Sequence, residues 1–165
     1  MDITVASIAD IEEITQVEIA SKKQSLPSII EDIDINYAVR LSRWQTYFAG
    51  KSPASAKPDR IIFKAVDANR VIGYVAVHLT TRFDMDAEIQ SFYILNEYQR
   101  KGIGSKLFGY VLNWLAAFNV KNLCVGIAAD NPYQVFYLKH GGKYYNPHWI
   151  FWDNLDVSAR QQPIG

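Results

Sequence analysis

The sequence predicts a single α+β domain built on a mixed, mostly antiparallel sheet with helices on both faces. Three observations carry that prediction. Three strand-like runs, Arg60–Val66, Val71–Thr80 and Ala87–Leu95, follow one another closely, as in an antiparallel meander. Helical periodicity then takes over from Ile103 to Phe118, where Leu107, Tyr110, Val111 and Trp114 recur at three- and four-residue spacing. A further strand at Leu123–Ala129 completes a β-α-β unit, and a meander leading into such a unit makes the sheet mixed.

The remaining elements follow in order. Asp2–Ala6 reads as a short opening strand rich in β-branched residues. Ser7 then offers a helix N-cap with Asp10 three positions on, and Ile8, Ile11, Ile14 and Val17 share one helical face. Lys22 to Pro27 breaks that pattern. A second helix is expected from Ile35 to Ala49, with Tyr37, Leu41, Trp44 and Phe48 on one face and Gly50 ending it. Residues 51–58 form a loop too short to link two domains, and Asp67 to Arg70 turns between the first two meander strands. After Ala129 a short helix spans Pro132–His140, and Tyr144–Trp152 is a strand pair or one bent strand.

Composition narrows the class. The chain has 165 residues, 49% of them hydrophobic, with 17 basic and 17 acidic side chains in balance. That composition excludes a disordered tail and supplies enough apolar surface for one core. The single cysteine, Cys124, excludes a disulfide framework and a multi-cysteine zinc site, and it reads as a buried small hydrophobe. His78, His140 and His148 show no metal-ligand spacing, so no metal is expected. No apolar run nears the ~18 residues of a membrane span, and the start lacks a basic leader region, so the expectation is a cytoplasmic protein without membrane contact. Net neutrality argues against nucleic acid as a partner. It conceals a net −4 over residues 1–98 and a net +4 over residues 99–165. That polarity suits a polyanionic ligand on one side and a cation on the other, or is scattered surface charge.

The main chemical signal is Gln99-Arg100-Lys101-Gly102-Ile103-Gly104, between the strand ending near Leu95 and the helix that follows. Glycines permit close backbone approach, so several N–H groups can point at one ligand. The helix N-terminus adds roughly half a positive charge, and Arg100 and Lys101 add full ones. The result describes a phosphate cradle, although neither G-x-x-x-x-G-K-[ST] nor G-x-G-x-x-G is present.

Residues 97–107 resemble the acetyl-CoA pyrophosphate loop of the GNAT superfamily of N-acetyltransferases, whose signature is [QR]-x-x-G-x-[GA]. Asn96 stands where many members have proline. Residues 130–142 independently resemble the family's downstream N-x-x-x-x-F-Y-x-x-x-G-[FG] segment, with Asn131 six residues before Tyr137. The resemblance spans nearly the whole chain. It implies one acetyltransferase domain: an acceptor-side region (1–50), a meander (60–95), an acetyl-CoA-binding core (96–143) and C-terminal strands with a tail (144–165).

The resemblance implies transfer of acetyl from acetyl-CoA to a primary amine by direct attack in a ternary complex, with no covalent enzyme intermediate. Gln99 belongs to the signature, and the amides of Arg100, Lys101, Gly102, Ile103, Gly104 and Ser105 would bind the pyrophosphate. The backbone of Phe92, Tyr93 and Ile94 would pair with pantetheine where the strand diverges around a bulge. An N–H near Phe92 or Tyr93 would polarise the thioester carbonyl. Asn131 would bond the pantetheine chain, cap the helix after it, or do both. Tyr137 is the candidate acid for the departing thiolate, or a half-buried aromatic beside Phe136.

An alkyl amine is free base in only about one molecule in a few thousand at pH 7, so a base is needed. Glu88 is the candidate, acting directly or through water, with an exposed strand-edge glutamate as the alternative. The aromatics Tyr144, Tyr145, Trp149, Phe151 and Trp152 line an acceptor pocket or serve core and dimer packing, since relatives are often homodimers. Glu31, Asp32 and Asp34 wall the acceptor side and attract a cation, or form a solvated loop. The acceptor is a small-molecule or protein amine, and the acidic first half favours a cationic one. The rival function is a non-catalytic acyl-CoA-binding regulatory module.

Overall fold

The Ser7 hydroxyl accepts the Ala9 N–H at 3.2 Å, and the Asp10 carboxylate accepts the Ser7 N–H at 2.8 Å. This reciprocal cap ends the first strand, β1 (Asp2–Val5), and starts the turn that leads into α1 (Ile11–Ser25). The computed structural model describes residues 1–25 and 31–155. α1 continues through Lys22, Lys23 and Gln24, where the sequence predicted a break; Leu26 and Pro27 lie outside the described residues.

The expected helix at 35–49 is two helices, α2 (Asp32–Ile35) and α3 (Tyr37–Phe48). Asn36 separates them: its backbone is extended at ψ 115°, and its Oδ1 accepts the Val39 N–H at 3.0 Å as the cap of α3. Gly50, at φ +77°, ends α3 as expected. β2 (Ala56–Asp67) starts four residues early, and its register slips between Ala56 and Arg60, an interval containing Pro58, which has no N–H to offer. Ala68 and Asn69, both at positive φ, make the tight turn into β3 (Arg70–Thr80).

β4 (Ala87–Ile94), α4 (Ile103–Ala116), β5 (Leu123–Gly126), α5 (Gln134–Lys139), β6 (Lys143–Asn146) and β7 (Trp149–Trp152) complete the fold. The last region is therefore a strand pair. β5 is shorter than predicted because pairing passes to an isolated bond from Ile127 N–H to the His148 carbonyl. α5 starts at Gln134, since Asn131 Oδ1 accepts the Tyr133 N–H at 2.8 Å and holds the preceding turn.

The strands form one sheet in the order β1-β2-β3-β4-β5-β7-β6, antiparallel except for the β4–β5 pair. α1 and α3 cover one face, where Trp44 meets Tyr74 edge-on at 5.5 Å. α4 covers the other, where Tyr110 meets Phe63 at 5.4 Å. Ile14, Tyr74, Val75, Leu107, Leu115 and Leu123 are buried between these layers. Among the described residues, no helix is long and apolar enough to cross a membrane.

Candidate active site

β4 and β5 pair only at their starts, Ala87–Ile89 against Leu123–Val125, and beyond Ile89 they part. A bulge marks the divergence. Ala76 opposes Ser91 and Val77 opposes Ile89, which leaves Gln90 as the extra residue. The ladder fixes which backbone groups face the gap. Leu95 N–H bonds the Ile72 carbonyl at 2.9 Å, so by antiparallel alternation Ser91 and Tyr93 bond towards β3. Phe92 and Ile94 turn their amides and carbonyls into the gap. Of the three residues expected to offer backbone there, Tyr93 is the exception, because its backbone belongs to β3.

A cavity of about 460 Å³ opens on the α4 side of the gap, lined by Phe92, Ile94, Gln99, Arg100, Gly102, Gly104, Ser105, Tyr137 and others. Gly102 caps α4 at φ +80° with no side-chain cap, so the first N–H groups of the helix remain available to a ligand. A Cβ on Gly102 would meet open space, so this glycine is demanded by conformation. One on Gly104 would stand 3.1 Å from Phe136 Cε2 and 3.3 Å from Ile94 Cδ1, so this glycine lets α4 approach β4 and α5. Arg100, also at positive φ, and Lys139 line the cavity and make it cationic. Amides, a helix N-terminus and two cations fit a diphosphate.

Sequence reasoning gave His140 no part here, yet it lines this cavity. Its Nε2 lies 3.1 Å from Ser105 Oγ, and its ring lies on Phe136 at 4.2 Å. Gln99 does not aim its side-chain amide at the cradle. That amide donates to the Ile94 carbonyl at 2.9 Å and to the Tyr133 hydroxyl, and Tyr133 donates to the same carbonyl at 3.1 Å. Gln99 thus fixes the strand end against α5, and of the two carbonyls in the gap that of Phe92 is the less occupied. Lys101 and Ile103 flank the cavity: the Lys101 ammonium lies over Tyr98 at 5.4 Å, and Ile103 is buried.

A second cavity of about 450 Å³ lies on the α1–α3 side. Its near wall is Gln90, Ser91, Phe92, Tyr93, Val125, Gly126, Asn131 and Tyr137. Its far wall includes Glu18, Lys22, Arg40, Trp44 and Tyr47. Phe92 and Tyr137 line both cavities, so the two meet at the gap. Burial, with nearby Tyr93 and Tyr133 adding to it, pushes the Tyr137 phenol well above its ordinary range, which keeps its proton in place. Among the described residues its hydroxyl has no hydrogen-bond partner. Asn131 directs its Oδ1 to Tyr133 N–H, which leaves its amide hydrogens for the cavity.

Glu88 is neither exposed nor among the residues lining either cavity. It is buried on the α1–α3 face, where its Oε1 accepts Arg82 Nε–H at 2.9 Å and lies 3.5 Å from His78 Nε2. Burial pushes its carboxyl up, but His78 and Arg82 more than offset this and hold it below the ordinary range. His78 continues the chain: its Nδ1 lies 3.1 Å from the hydroxyl of Tyr47, which does line the cavity. Cys124, its thiol pushed up to about 12 by burial, donates weakly to the Ala87 carbonyl at 3.6 Å, an environment that disfavours the thiolate a nucleophile needs.

For two acceptor-side groups the cavity-lining alternative does not hold. Glu31 and Asp34 form the cap of α2, with Asp34 Oδ2 accepting the Glu31 N–H at 3.1 Å, and the acidic run does not line the cavity. The C-terminal aromatics do not line it either. Tyr145 stacks on Phe151 at 4.4 Å, and Phe83 packs against Tyr145, Trp149 and Phe151.

Comparison with known proteins bears on this arrangement. Solved structures share the fold at low identity. The PaiA N-acetyltransferase from Thermoplasma acidophilum, in complex with coenzyme A, is 19% identical with a TM-score of 0.72, covering 94% of this chain and 100% of that one. A GNAT family acetyltransferase from Brucella melitensis, in complex with acetyl-CoA, is 19% identical with a TM-score of 0.64, covering 92% and 86%. The yncA protein from Salmonella typhimurium, with its cofactor acetyl-CoA, is 17% identical with a TM-score of 0.66, covering 93% of each chain. No curated protein matches the sequence. The family model for the GNAT acetyltransferases matches residues 26–141, well over half of the chain. With the strand gap, the glycine cradle and that match together, the chain belongs to the GNAT family of acetyltransferases.

Proposed function

We propose that the chain is an acetyl-CoA-dependent N-acetyltransferase acting on a primary amine by direct attack in a ternary complex. One observation supports this most: two cavities, one a diphosphate cradle and one walled in part by α1 and α3, meet at Phe92 and Tyr137 in the gap. Acetyl-CoA supplies the acyl group already activated as a thioester. The amides of residues 100–105 hold its diphosphate, with Arg100 and Lys139 adding charge. Backbone groups of Phe92 and Ile94, with the Asn131 amide, align the pantetheine arm. The Phe92 N–H, facing the gap, stabilises the negative charge that develops on the carbonyl oxygen.

The Tyr137 hydroxyl donates to the departing sulfur. Burial raises a thiol as it raises a phenol, so donor and acceptor stay matched despite the upward shift of Tyr137. Glu88 contributes at one remove. As the amine gives a proton to Tyr47 Oη, the Tyr47 hydroxyl hydrogen passes to His78 Nδ1, and the imidazolium formed faces the Glu88 carboxylate. In the resting state Tyr47 bonds His78 Nδ1 while His78 Nε2 stands 3.5 Å from the Glu88 carboxylate without a hydrogen bond, so the carboxylate acts on the imidazolium by charge.

A thiol-release assay with dithionitrobenzoate, run with acetyl-CoA across a panel of primary amines, tests the proposal. Amine-dependent thiol release is expected. Calorimetric binding of acetyl-CoA with no release on any amine would leave a binding module instead of an enzyme.

A further inference from the structure

The acceptor-side cavity carries the wrong charge for a simple cationic amine. Four ionisable side chains line it besides the phenols: Glu18, Lys22, Arg40 and Arg43. Three are cations and one is an anion. The anion is already saturated. Glu18, only 2% exposed, accepts Arg40 Nε–H at 3.2 Å and Trp44 Nε1–H at 2.9 Å on Oε1. Its Oε2 accepts Arg40 Nη2–H at 2.7 Å and pairs with the Lys22 ammonium at 2.9 Å. A carboxylate has about four acceptor sites, and all are taken. No capacity is left for a substrate ammonium.

The cations are not saturated. Lys22 uses one of its three N–H donors on Glu18, and Arg40 uses two of five. Arg43 forms no ion pair among the described residues and stands on the same helix one position before Trp44. The segment 26–30 adds no compensating carboxylate, since it reads Leu-Pro-Ser-Ile-Ile. None of Glu31, Asp32 and Asp34 lines the cavity: the Asp34 carboxylate accepts the Glu31 N–H of its own helix cap, and its charge reaches the wall only at Tyr93. A concave wall with a net charge of +2 focuses a positive potential into a space of small-molecule size.

We propose that the acceptor is a small primary amine that also carries an acidic group, a carboxylate or a phosphoryl. The acidic group binds the Lys22–Arg40–Arg43 wall, and the amine reaches the gap beside Tyr47 and Phe92. This substrate class rests on the acetyl-transfer proposal above. The same wall assists the chemistry. Cations close to an alkyl ammonium disfavour its charged form, so the fraction present as free base rises inside the cavity. Recognition and activation then come from one set of side chains.

The test uses ω-amino acids from glycine to 6-aminohexanoate, the amide and the diamine of each length, and aminoalkylphosphonates. Each is titrated calorimetrically into the CoA-loaded protein and then assayed for thiol release with acetyl-CoA. At the best length the acid is expected to bind at least tenfold tighter than its amide. Arg43→Gln and Lys22→Met should each cut that ratio threefold or more. Arg43 is exposed, so its variant keeps the fold even if the Lys22 variant does not. The relative affinity of carboxylate and phosphonate identifies which acid the wall is shaped for. Equal binding of acid and amide, or tightest binding of a diamine, overturns the assignment. Acid preference without thiol release would remove the acetyl-transfer proposal and leave the anion-binding wall; thiol release without acid preference would do the reverse.

Discussion

The Tyr47 hydroxyl lies 3.1 Å from His78 Nδ1, a buried contact between residues 31 positions apart on α3 and β3. Burial pushes the Tyr47 phenol well up, with Arg60 opposing and Glu88 adding to the shift, so in the proposed relay Tyr47 would pass a proton on without holding the charge itself. Tyr47→Phe removes the link to the cavity, and His78→Gln removes the imidazole behind it. Each should lower kcat by about 10²-fold, the low end for general-base catalysis. Because the two act as one unit, the double variant should be little worse than either single one. Steady-state kinetics on all three, with the best amine of the panel, decides this. Multiplying losses would break the chain into unrelated residues.

Tyr137→Phe keeps the ring that packs against Phe92, Phe136 and Trp152 and removes only a hydroxyl with no partner among the described residues. The fold and acetyl-CoA affinity should therefore persist while kcat falls by about 10²-fold. A KM for acetyl-CoA that rises with kcat unchanged would assign Tyr137 to binding instead.

How much of this was legible in the sequence follows from the range of each interaction. The meander, α4 and the glycine loop are written in local patterns: period-two runs, a 3.6-residue period, and Gly102 at a position needing positive φ. The bulge at Gln90 is not local, since it exists only relative to β3, and it decides that Phe92 and Ile94 face the gap while Tyr93 does not. The acceptor wall is still less local. Arg40 and Trp44 stand 22 and 26 residues from Glu18, and no spacing rule joins them. The acidic balance of the first half therefore pointed to a cationic acceptor, whereas Glu18 is the one carboxylate among the described residues that lines the cavity, and it is bound within ion pairs. Glu88 was visible as a strand glutamate, but its burial and its partners His78 and Arg82 were not. His140 gave no signal either, because its tie to Ser105 forms only when α5 docks on α4.

The cradle separates conformation from space. A Cβ added at Gly102 meets no atom within 4 Å, and aspartate tolerates positive φ better than most residues. Its carboxylate would face the diphosphate, so CoA affinity should drop by about 10²-fold or more with the fold retained. Gly104→Ala would crowd Phe136 and Ile94 and cost about 1–3 kcal/mol, felt as a lower melting temperature. Calorimetry with CoA and thermal melts on both variants tell the effects apart. Undiminished CoA binding by the Gly102 variant would mean that the loop is not the cradle.

Acid stability should report Glu88. Its carboxyl is held below the ordinary value near 4.5. A carboxylate lowered in the folded state adds stability at neutral pH, which is lost as the pH falls from that value through the folded one. Asp10 behaves likewise: burial pushes it up, but the Lys64 ammonium at 2.7 Å and the Ser7 N–H hold it below the ordinary range. Urea midpoints measured from pH 7 to pH 3 should therefore fall below about pH 5. Glu88→Gln should start lower at pH 7 and fall less steeply in acid. Parallel curves for the two proteins would show that Glu88 binds its proton equally in both states.

Glu18 is the keystone of the acceptor wall, and its loss should cost stability as well as substrate. Glu18→Gln leaves Arg40, Lys22 and the Trp44 indole facing a neutral amide at a site 2% exposed. Removing one partner of a buried ion pair strands the others, typically at about 3–5 kcal/mol. The value here should sit near the lower end, because the Lys22 and Arg40 side chains are 13% and 14% exposed and regain some water. Arg43→Gln, exposed and unpaired among the described residues, should change stability by less than about 0.5 kcal/mol. Urea unfolding of the two variants gives the comparison. If both unfold like the wild type, the network orders the cavity without holding the fold, and the positions of Lys22 and Arg40 depend on the packing of α1 against α3 instead.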